Sequence, residues 1–250
     1  IAMGSGTDVS KETADMIIMD DNFNSIVKGV KEGRTAYSNI RKITYFLLSC
    51  SIAEVLFFIL SLVFFTVSPL LAIQLLWLNV ITDGFQDLSL SLEKPEPGIM
   101  KEKPRPTNES LFSRSMVIQS SIMGTTIGGV VFVAWMILYK ILNFDIVVAR
   151  SLIMALMVFM QNIHAFNCKS EKQSLLKCNF TQNWFFLVSV VGSIGLQIVF
   201  MEVGALSHLL DLTTVPYKEL FILLGISFVV LVVCELYKLI VRKVDRKLSI

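Results

Sequence analysis

The sequence comprises 250 residues, of which 54% are hydrophobic and 17% charged, and its mean hydropathy is +0.68. A soluble domain of this length does not need so many apolar residues to form its core, so most of the chain is expected in a lipid bilayer. The formal net charge of +2 is too small to indicate a nucleic-acid partner. The cysteines lie within apolar segments or next to basic loops, without the spacing of metal ligands, and are expected to be reduced packing residues: Cys50, Cys168, Cys178 and Cys234.

The first forty residues are polar and charged, unlike the rest of the chain. The run IAMGSGTDV predicts a short strand, a glycine-rich turn at Gly4 and Gly6, and the start of a helix. The run DMIIMDD predicts a buried strand, and Asp20, Asp21 or Asn22 could cap the helix that follows. So small a unit buries too little apolar surface to fold alone. We therefore expect residues 1–36 to end a soluble α/β domain whose remainder lies upstream, and we expect no cleavable signal peptide.

Hydropathy divides the remainder, residues 37–250, into segments of about 20 residues, the length that crosses the hydrocarbon core as a helix. The sequence predicts a mainly α, polytopic membrane bundle of six spans, near 44–66, 70–91, 115–139, 147–166, 183–206 and 218–240. Several glycines in these spans are expected to permit close approach of helices: Gly124, Gly128, Gly129, Gly192 and Gly195.

The connections between the predicted spans differ in basic residues. Arg and Lys are frequent before the first span, in the 92–114 connection, in the 167–182 connection and in the tail after 240. The connections around 67–69, 140–145 and 207–218 are poor in them. By the positive-inside rule both termini and the basic connections are expected to face the cytoplasm, which an even number of spans allows.

Two carboxylates lie within apolar runs, Glu54 in SCSIAEVLFFIL and Asp83 in LLWLNVITDGFQD. A carboxylate at bilayer depth is costly, so membrane proteins keep one mainly where an ion, a proton or a substrate uses it. Asn79, Thr82 and Asp83 share one helical face by their spacing, and Ser51 lies three residues before Glu54. Amide, hydroxyl and carboxylate oxygens are the ligands that a hard cation such as Ca²⁺ prefers. The alternative for the amide and the hydroxyl is hydrogen bonding to neighbouring helices.

Two neighbours of Asp83 also bear on this site. Gly84 would loosen the helix there, and a broken helix at membrane depth can let backbone carbonyls join an ion site. Asp87 lies four residues after Asp83 on the same face. It could extend an ion path or a proton exit, or it could be hydrated near the cytoplasmic end of its span.

Three segments resemble a known family. The run IAMGSGTDVSKETADMIIMDDNFNSIVKGVKEGRTAYSNIRK resembles the end of the phosphorylation domain of P-type ATPases and its exit into the fifth transmembrane helix. The run QLLWLNVITDGFQDLSLSLEKPEPGIMKEKPR resembles the sixth helix and following loop of type II cation pumps, the calcium pumps above all, and the likeness continues through SEKQSL to CELYKLIVRK. The resemblance implies that the six spans are helices five to ten of ten. It also implies that residues 1–36 are a remnant of the phosphorylation domain.

The resemblance implies roles for individual residues. Glu54, Asn79, Thr82 and Asp83 match ligands of the family's ion sites. Ser51 and Gln161 depart from the pattern, because they stand where the family has a ligand asparagine and a ligand glutamate. The loss of one negative charge disfavours holding two divalent ions together, so one transported ion per cycle is expected. A further ligand would come from the fourth helix, upstream of this sequence.

The sequence thus predicts the ion-site half of an ATP-driven pump that exports Ca²⁺ from the cytoplasm, in the plasma membrane. ATP and Mg²⁺ would be bound by upstream domains of the same pump, since the DKTG and TGDGVND segments of the family do not occur in this sequence. The chain by itself is therefore expected to be inactive as an ATPase. One alternative is a pump for Na⁺ or another monovalent cation. Another is a six-helix channel or scaffold without a motor, in which the GSGT–DDNF segment would have no use.

Overall fold

The computed structural model describes residues 1–65, 67–101, 104, 111–170 and 183–248, with side chains described to residue 243. Cys178 and the basic residues Lys103, Arg105, Lys172 and Lys177 lie outside these ranges, as does most of the SEKQSL segment. The helices and strands, in chain order, are β1 Ala2–Met3, α1 Asp8–Glu12, β2 Ile17–Ile18, α2 Phe23–Phe64, α3 Ala72–Asn79, a π-helical turn Val80–Gly84, α4 Phe85–Ser91, a 3₁₀ turn Ile99–Lys101, α5 Arg114–Met136, a second π-helical turn Ile137–Ile141, α6 Ile146–Cys168, α7 Trp184–Glu202, α8 Gly204–Leu210, α9 Tyr217–Ser227 and α10 Val229–Leu248.

The N-terminal residues form a small unit in which β1 and β2 pair in parallel. Its glycine-rich turn is tight, because a Cβ on Gly4 would lie 2.7 Å from the carbonyl oxygen of Met19. The Asp21 carboxylate accepts a hydrogen bond from the backbone N–H of Ser5 at 3.0 Å, and this bond lowers the pKa of Asp21. Asn22 caps α2 by accepting from the backbone N–H of Asn24 at 3.0 Å. The strands and the cap thus lie where the sequence predicts them, but β2 is only half-buried, with Ile18 buried and Ile17 exposed. The α/β domain that they would complete stays a prediction.

Helix α2 is continuous over 42 residues, Phe23–Phe64. At 1.5 Å per residue it is about 60 Å long, twice what the hydrocarbon core requires. It joins the predicted soluble helix and the predicted first span in one element, and the expected boundary between residues 36 and 37 falls inside it. The helix continues because its backbone hydrogen bonds form equally well with polar and with apolar side chains, and no proline occurs between Phe23 and Phe64.

Five helices in the described part of the chain are long and apolar enough to cross a membrane. They are α2, α5 with its π-helical turn, α6, α7, and α9 with α10. The remaining predicted span, 70–91, is helical from Ala72 to Ser91 but is divided into α3, a π-helical turn and α4. The bundle is therefore mainly helical as predicted, and the predicted span 218–240 is also divided, between α9 and α10 at Phe228.

A buried stripe explains the interruption. Gln74, Leu78, Thr82, Gln86 and Leu90, spaced four residues apart, are all buried. On a regular α-helix this spacing would drift by about 40° per step, or about 160° over the stripe. One residue inserted by the π-helical turn reduces the drift to about 60°. The turn therefore keeps one face of the segment against the bundle.

Helix α6 is the centre of the bundle. In its most apolar 18-residue segment 78% of the residues are buried, against 33% or less in the corresponding segments of the other four long helices. Helices α2 and α5 approach most closely at Gly124 and Gly128, as the sequence predicts: a Cβ on Gly128 would lie 2.6 Å from the carbonyl oxygen of Ala53. At the other three predicted glycines a Cβ would meet no described atom within 4 Å, so close approach is not their role: Gly129, Gly192 and Gly195.

Candidate cation site

Glu54 of α2 and Gln161 of α6 meet inside the bundle. The side-chain Nε2 of Gln161 donates a hydrogen bond to Glu54 Oε1 at 2.9 Å. Gln161 is fully buried, and Glu54 is half-buried. Because this bond uses the amide hydrogens of Gln161 toward Glu54, the amide oxygen is left pointing elsewhere as an acceptor.

Asp83 lies in the π-helical turn, which packs against α6, the helix of Gln161. Asp87 lies in α4, which packs against α2, the helix of Glu54. Thr82 is fully buried and donates from Oγ1 to the carbonyl oxygen of Leu78 at 2.8 Å, while the same atom lies 3.4 Å from Asp83 Oδ1. The candidates Glu54, Asp83 and Asp87, the Thr82 hydroxyl and the Gln161 amide thus lie on elements that pack together, namely α2, the π-helical turn, α4 and α6.

Two acceptor atoms near the turn are buried without a hydrogen-bond partner among the described residues: Gln161 Oε1 and Asp87 Oδ1. A buried acceptor without a partner is costly, on the order of 1–3 kcal/mol. Both atoms are oxygens of the kind that ligate hard cations. Both atoms are therefore open to a partner from outside the described residues.

The other two candidates are not buried by the described residues. Ser51 and Asn79 are exposed on the surfaces of α2 and α3. The described residues contain no group of three or more His, Cys, Asp or Glu side chains placed to hold a metal ion. A cation held by these acidic side chains would therefore also need amide and hydroxyl oxygens, or ligands from outside the described residues.

Polar side chains of α3, α4, α6 and α7 form hydrogen bonds between these helices that the sequence does not predict. Gln86 of α4 donates to Asn162 Oδ1 at 2.8 Å, and Asn162 donates to Ser193 Oγ of α7 at 2.9 Å. In α3, Trp77 donates from its indole Nε1 to Gln197 Oε1 at 2.9 Å. These pairs hold α3 and α4 against α6 and α7. Amides at these positions in apolar spans were the available signal, but their partners lie far away in sequence.

The connection after α4 is held to two helices at once. Glu93 pairs with Lys169 at 3.0 Å, and Glu96 pairs with Lys42 of α2 at 3.0 Å. Asn39 of α2 also donates to the carbonyl oxygens of Ser91 and Glu93, at 3.0 and 2.8 Å. The polar half of α2 is therefore attached directly to the chain that leaves the candidate site.

Comparison with known proteins agrees with this architecture. Residues 67–240 match the family described as "Cation transporting ATPase, C-terminus". The chain belongs to this family and, with its five long apolar helices, is the C-terminal membrane part of a P-type cation-transporting ATPase and an integral membrane protein.

Several relatives are calcium-transporting ATPases by name. The chain is 33% identical to "Calcium-transporting ATPase 1" of Bacillus cereus over 255 residues, which covers 96% of this chain and 29% of that protein. It is 33% identical to "Calcium-transporting ATPase" of Bacillus subtilis, covering 91% of this chain and 26% of the relative. It is also 33% identical to "Calcium-transporting ATPase type 2C member 2" of Homo sapiens, covering 96% of this chain and 25% of the relative. The chain thus spans between a quarter and three tenths of the length of these relatives.

Proposed function

We propose that the chain is the ion-site half of an ATP-driven pump that exports Ca²⁺ from the cytoplasm, in the plasma membrane. The observation that carries the proposal is the buried Gln161–Glu54 pair beside Asp83, with acceptor oxygens that lack protein partners. The proposed ligands are Glu54, Thr82 and Asp83 together with Asn79, with Ser51, Gln161 and Asp87 as further candidates. Oxygen ligands of mixed charge are what Ca²⁺ prefers, and three relatives are calcium-transporting ATPases by name.

One Ca²⁺ per cycle is the proposed stoichiometry. Gln161 is neutral where the family resemblance implies a glutamate, and its Nε2 already occupies Glu54 Oε1. Two divalent ions in a low-dielectric site would need about four compensating negative charges. Glu54, Asp83 and Asp87 can supply three at most, so a single ion is balanced more easily.

The proposed topology has six spans. The interrupted segment from Ala72 to Ser91 contains 20 helical residues, which extend about 30 Å, enough to cross the hydrocarbon core. With six crossings, both termini lie on the same side, and the positive-inside rule makes that side cytoplasmic. Residues 1–36 would then close a phosphorylation domain, and residues 37–250 would form the transport domain.

Energy would reach the site through α2. The helix begins at the proposed phosphorylation-domain segment and contains Glu54, so a tilt at its polar end moves the site as well. ATP and Mg²⁺ would be bound by upstream domains, since no DKTG segment occurs in this sequence. Lipid and the remaining domains of the same pump are the proposed partners.

A pump for Na⁺ or another monovalent cation is the second candidate. The neutral Gln161 favours it, because fewer charges around the ion suit a monovalent cation. A channel or scaffold without a motor is disfavoured by membership in the ATPase family.

Ion-dependent ATPase assays on the complete pump, across Ca²⁺, Na⁺, K⁺ and Mn²⁺, test the proposal. Activation by micromolar Ca²⁺ with no requirement for Na⁺ or K⁺ supports it, and activation by Na⁺ alone would move the assignment to the second candidate. The 250-residue chain purified by itself is the control. It should show no phosphoenzyme. Acid-stable phosphorylation of this chain by ATP would contradict the proposal that upstream domains bind ATP and accept the phosphoryl group.

A further inference from the structure

Gln74 ties the start of α3 to the end of α8. Its side chain is fully buried. The amide oxygen accepts from the backbone N–H of Leu71 at 2.9 Å, which caps α3. The amide nitrogen donates to the carbonyl oxygens of Leu210 and Asp211 at 2.9 and 3.2 Å. One side chain therefore satisfies backbone groups at a helix start and at a helix end.

A second tie reinforces the first. Arg150 of α6 donates from Nη2 to the carbonyl oxygen of Ser68 at 2.9 Å, and its Nη1 lies 4.0 Å from Asp211 Oδ2. The α2–α3 connection and the segment after α8 are thus both attached to α6. Gln74, Arg150 and Asp211 together form a clamp between α3, α6 and the segment after α8.

The clamp matters because α3 is short. The helical segment Ala72–Ser91 changes geometry at the π-helical turn, and the eight residues before the turn depend on tertiary contacts for their position. Its last residue is Asn79, about 8 Å along the helix from Gln74, and the π-helical turn follows directly. On the far side of the turn, α4 is held independently by the Gln86–Asn162 hydrogen bond. The turn with Thr82 and Asp83 therefore bridges two half-helices that are fixed separately.

We propose that Gln74 is a positioning residue for the cation site. By fixing the start of α3, Gln74 determines the position of Asn79 on one side of the turn. The Gln86–Asn162 hydrogen bond fixes α4 on the other side. The inference rests on the proposed function, since it takes Asn79 as a ligand. It further assigns a part in cation affinity to the segment after α8, which contains none of the proposed ligands.

The test uses Gln74→Met in the complete pump. This change keeps the side-chain length but removes all three hydrogen bonds. We expect the Ca²⁺ concentration for half-maximal activation of phosphorylation from ATP to rise on the order of tenfold, while the maximal phosphoenzyme per folded pump stays unchanged. A purely structural role would lower the yield of folded pump and leave the affinity as it was. Gln119→Met is the matched control, because Gln119 is a buried glutamine of α5, away from α3.

A double-mutant cycle tests whether Gln74 acts through Asn79. Asn79→Ala should lower Ca²⁺ affinity by itself, and adding Gln74→Met to it should change the affinity by less than about twofold further. Additive effects, or an unchanged affinity in Gln74→Met, would overturn the inference.

Two further variants keep the outcomes separate. If Gln74→Met yields no folded pump, Asp211→Asn replaces it: Asp211 is exposed and has φ 51°, which asparagine tolerates. Asp211→Asn should shift Ca²⁺ affinity in the same direction by a smaller factor, and no shift would overturn the inference. Normal Ca²⁺ activation in Asp83→Asn would instead overturn the proposed function. Loss of activation there, with normal affinity in Gln74→Met, would overturn the role of Gln74 alone.

Discussion

Gln161 and Glu54 are joined by a hydrogen bond of 2.9 Å that connects the central helix α6 to the long helix α2. The amide donor fixes the position of Glu54 but brings no positive charge to compensate a carboxylate. A carboxylate held in this way inside an apolar bundle is stabilised far better by a cation than by an amide.

Asp83→Asn should abolish cation-activated phosphorylation of the complete pump. Asparagine preserves shape and hydrogen bonding but removes the charge that compensates the ion, so a hard-cation site loses most of its affinity. Phosphorylation by inorganic phosphate should persist, which shows that the protein is folded, and it should no longer respond to Ca²⁺. Asp145→Asn is the control, since Asp145 caps α6 at the surface and asparagine caps equally well.

Gln161→Glu should leave the transport stoichiometry at one Ca²⁺ per ATP. The new carboxylate faces Glu54 at hydrogen-bonding distance, so without a cation the pair repels and the pump should lose thermal stability. Added Ca²⁺ should restore that stability. When Ser51→Asn accompanies the change, the ratio of Ca²⁺ transported to ATP hydrolysed should rise toward two. A ratio that stays at one in the double variant would argue against a latent second site.

Gly128→Ala should destabilise the pump by about 1–3 kcal/mol, since overpacking at a close helix contact forces the backbones apart. The added Cβ would lie 2.6 Å from the carbonyl oxygen of Ala53, next to Glu54. Gly129→Ala is a control one residue away: its Cβ meets no described atom within 4 Å, so it should be neutral or slightly stabilising through helix propensity. The measurement is thermal inactivation, in which Gly128→Ala should lose activity at a lower temperature than Gly129→Ala. Equal stability would mean that α2 and α5 are further apart than the structure shows.

The orientation can be tested with single cysteines at two exposed positions. In a background without native cysteines, Lys101→Cys should resist an impermeant thiol reagent in intact cells, while Asp145→Cys should react. Permeabilised cells should label both, which shows that both positions are accessible. Labelling of the Lys101→Cys variant from outside intact cells would reverse the proposed topology.

The sequence predicts the position of nearly every helix, but it does not predict how they are joined. Hydropathy marks a span only where side chains turn apolar, so it separates residues before 44 from Glu54, although α2 runs unbroken through both. It also treats 70–91 as one span, because the π-helical turn at Val80–Gly84 depends on which face the bundle covers. Gly84 was the one local signal of irregularity there.

The candidate site shows the same division between local and distant information. Glu54 and Asp83 stand out from sequence alone, because charge in an apolar run is costly and conspicuous. The bond from Gln161 to Glu54 joins residues 107 positions apart, and no local pattern predicts it. Gln74, Gln86 and Asn162 look like unremarkable amides until their partners are known. Helical spacing also placed Ser51 beside Glu54, but Ser51 is exposed.

Because α2 is continuous, the number of residues between two of its side chains determines how those side chains are oriented relative to each other. Asn39 and Lys42 fasten one part of the helix to the connection after α4, and Glu54 lies three turns further on. Because each residue advances an α-helix by about 100°, inserting or deleting one residue between Lys42 and Glu54 would turn the carboxylate away from Gln161 by that angle. Insertions and deletions of single residues in this stretch are therefore expected to disrupt the pair. Related pumps that keep both attachments should have the same number of residues between them.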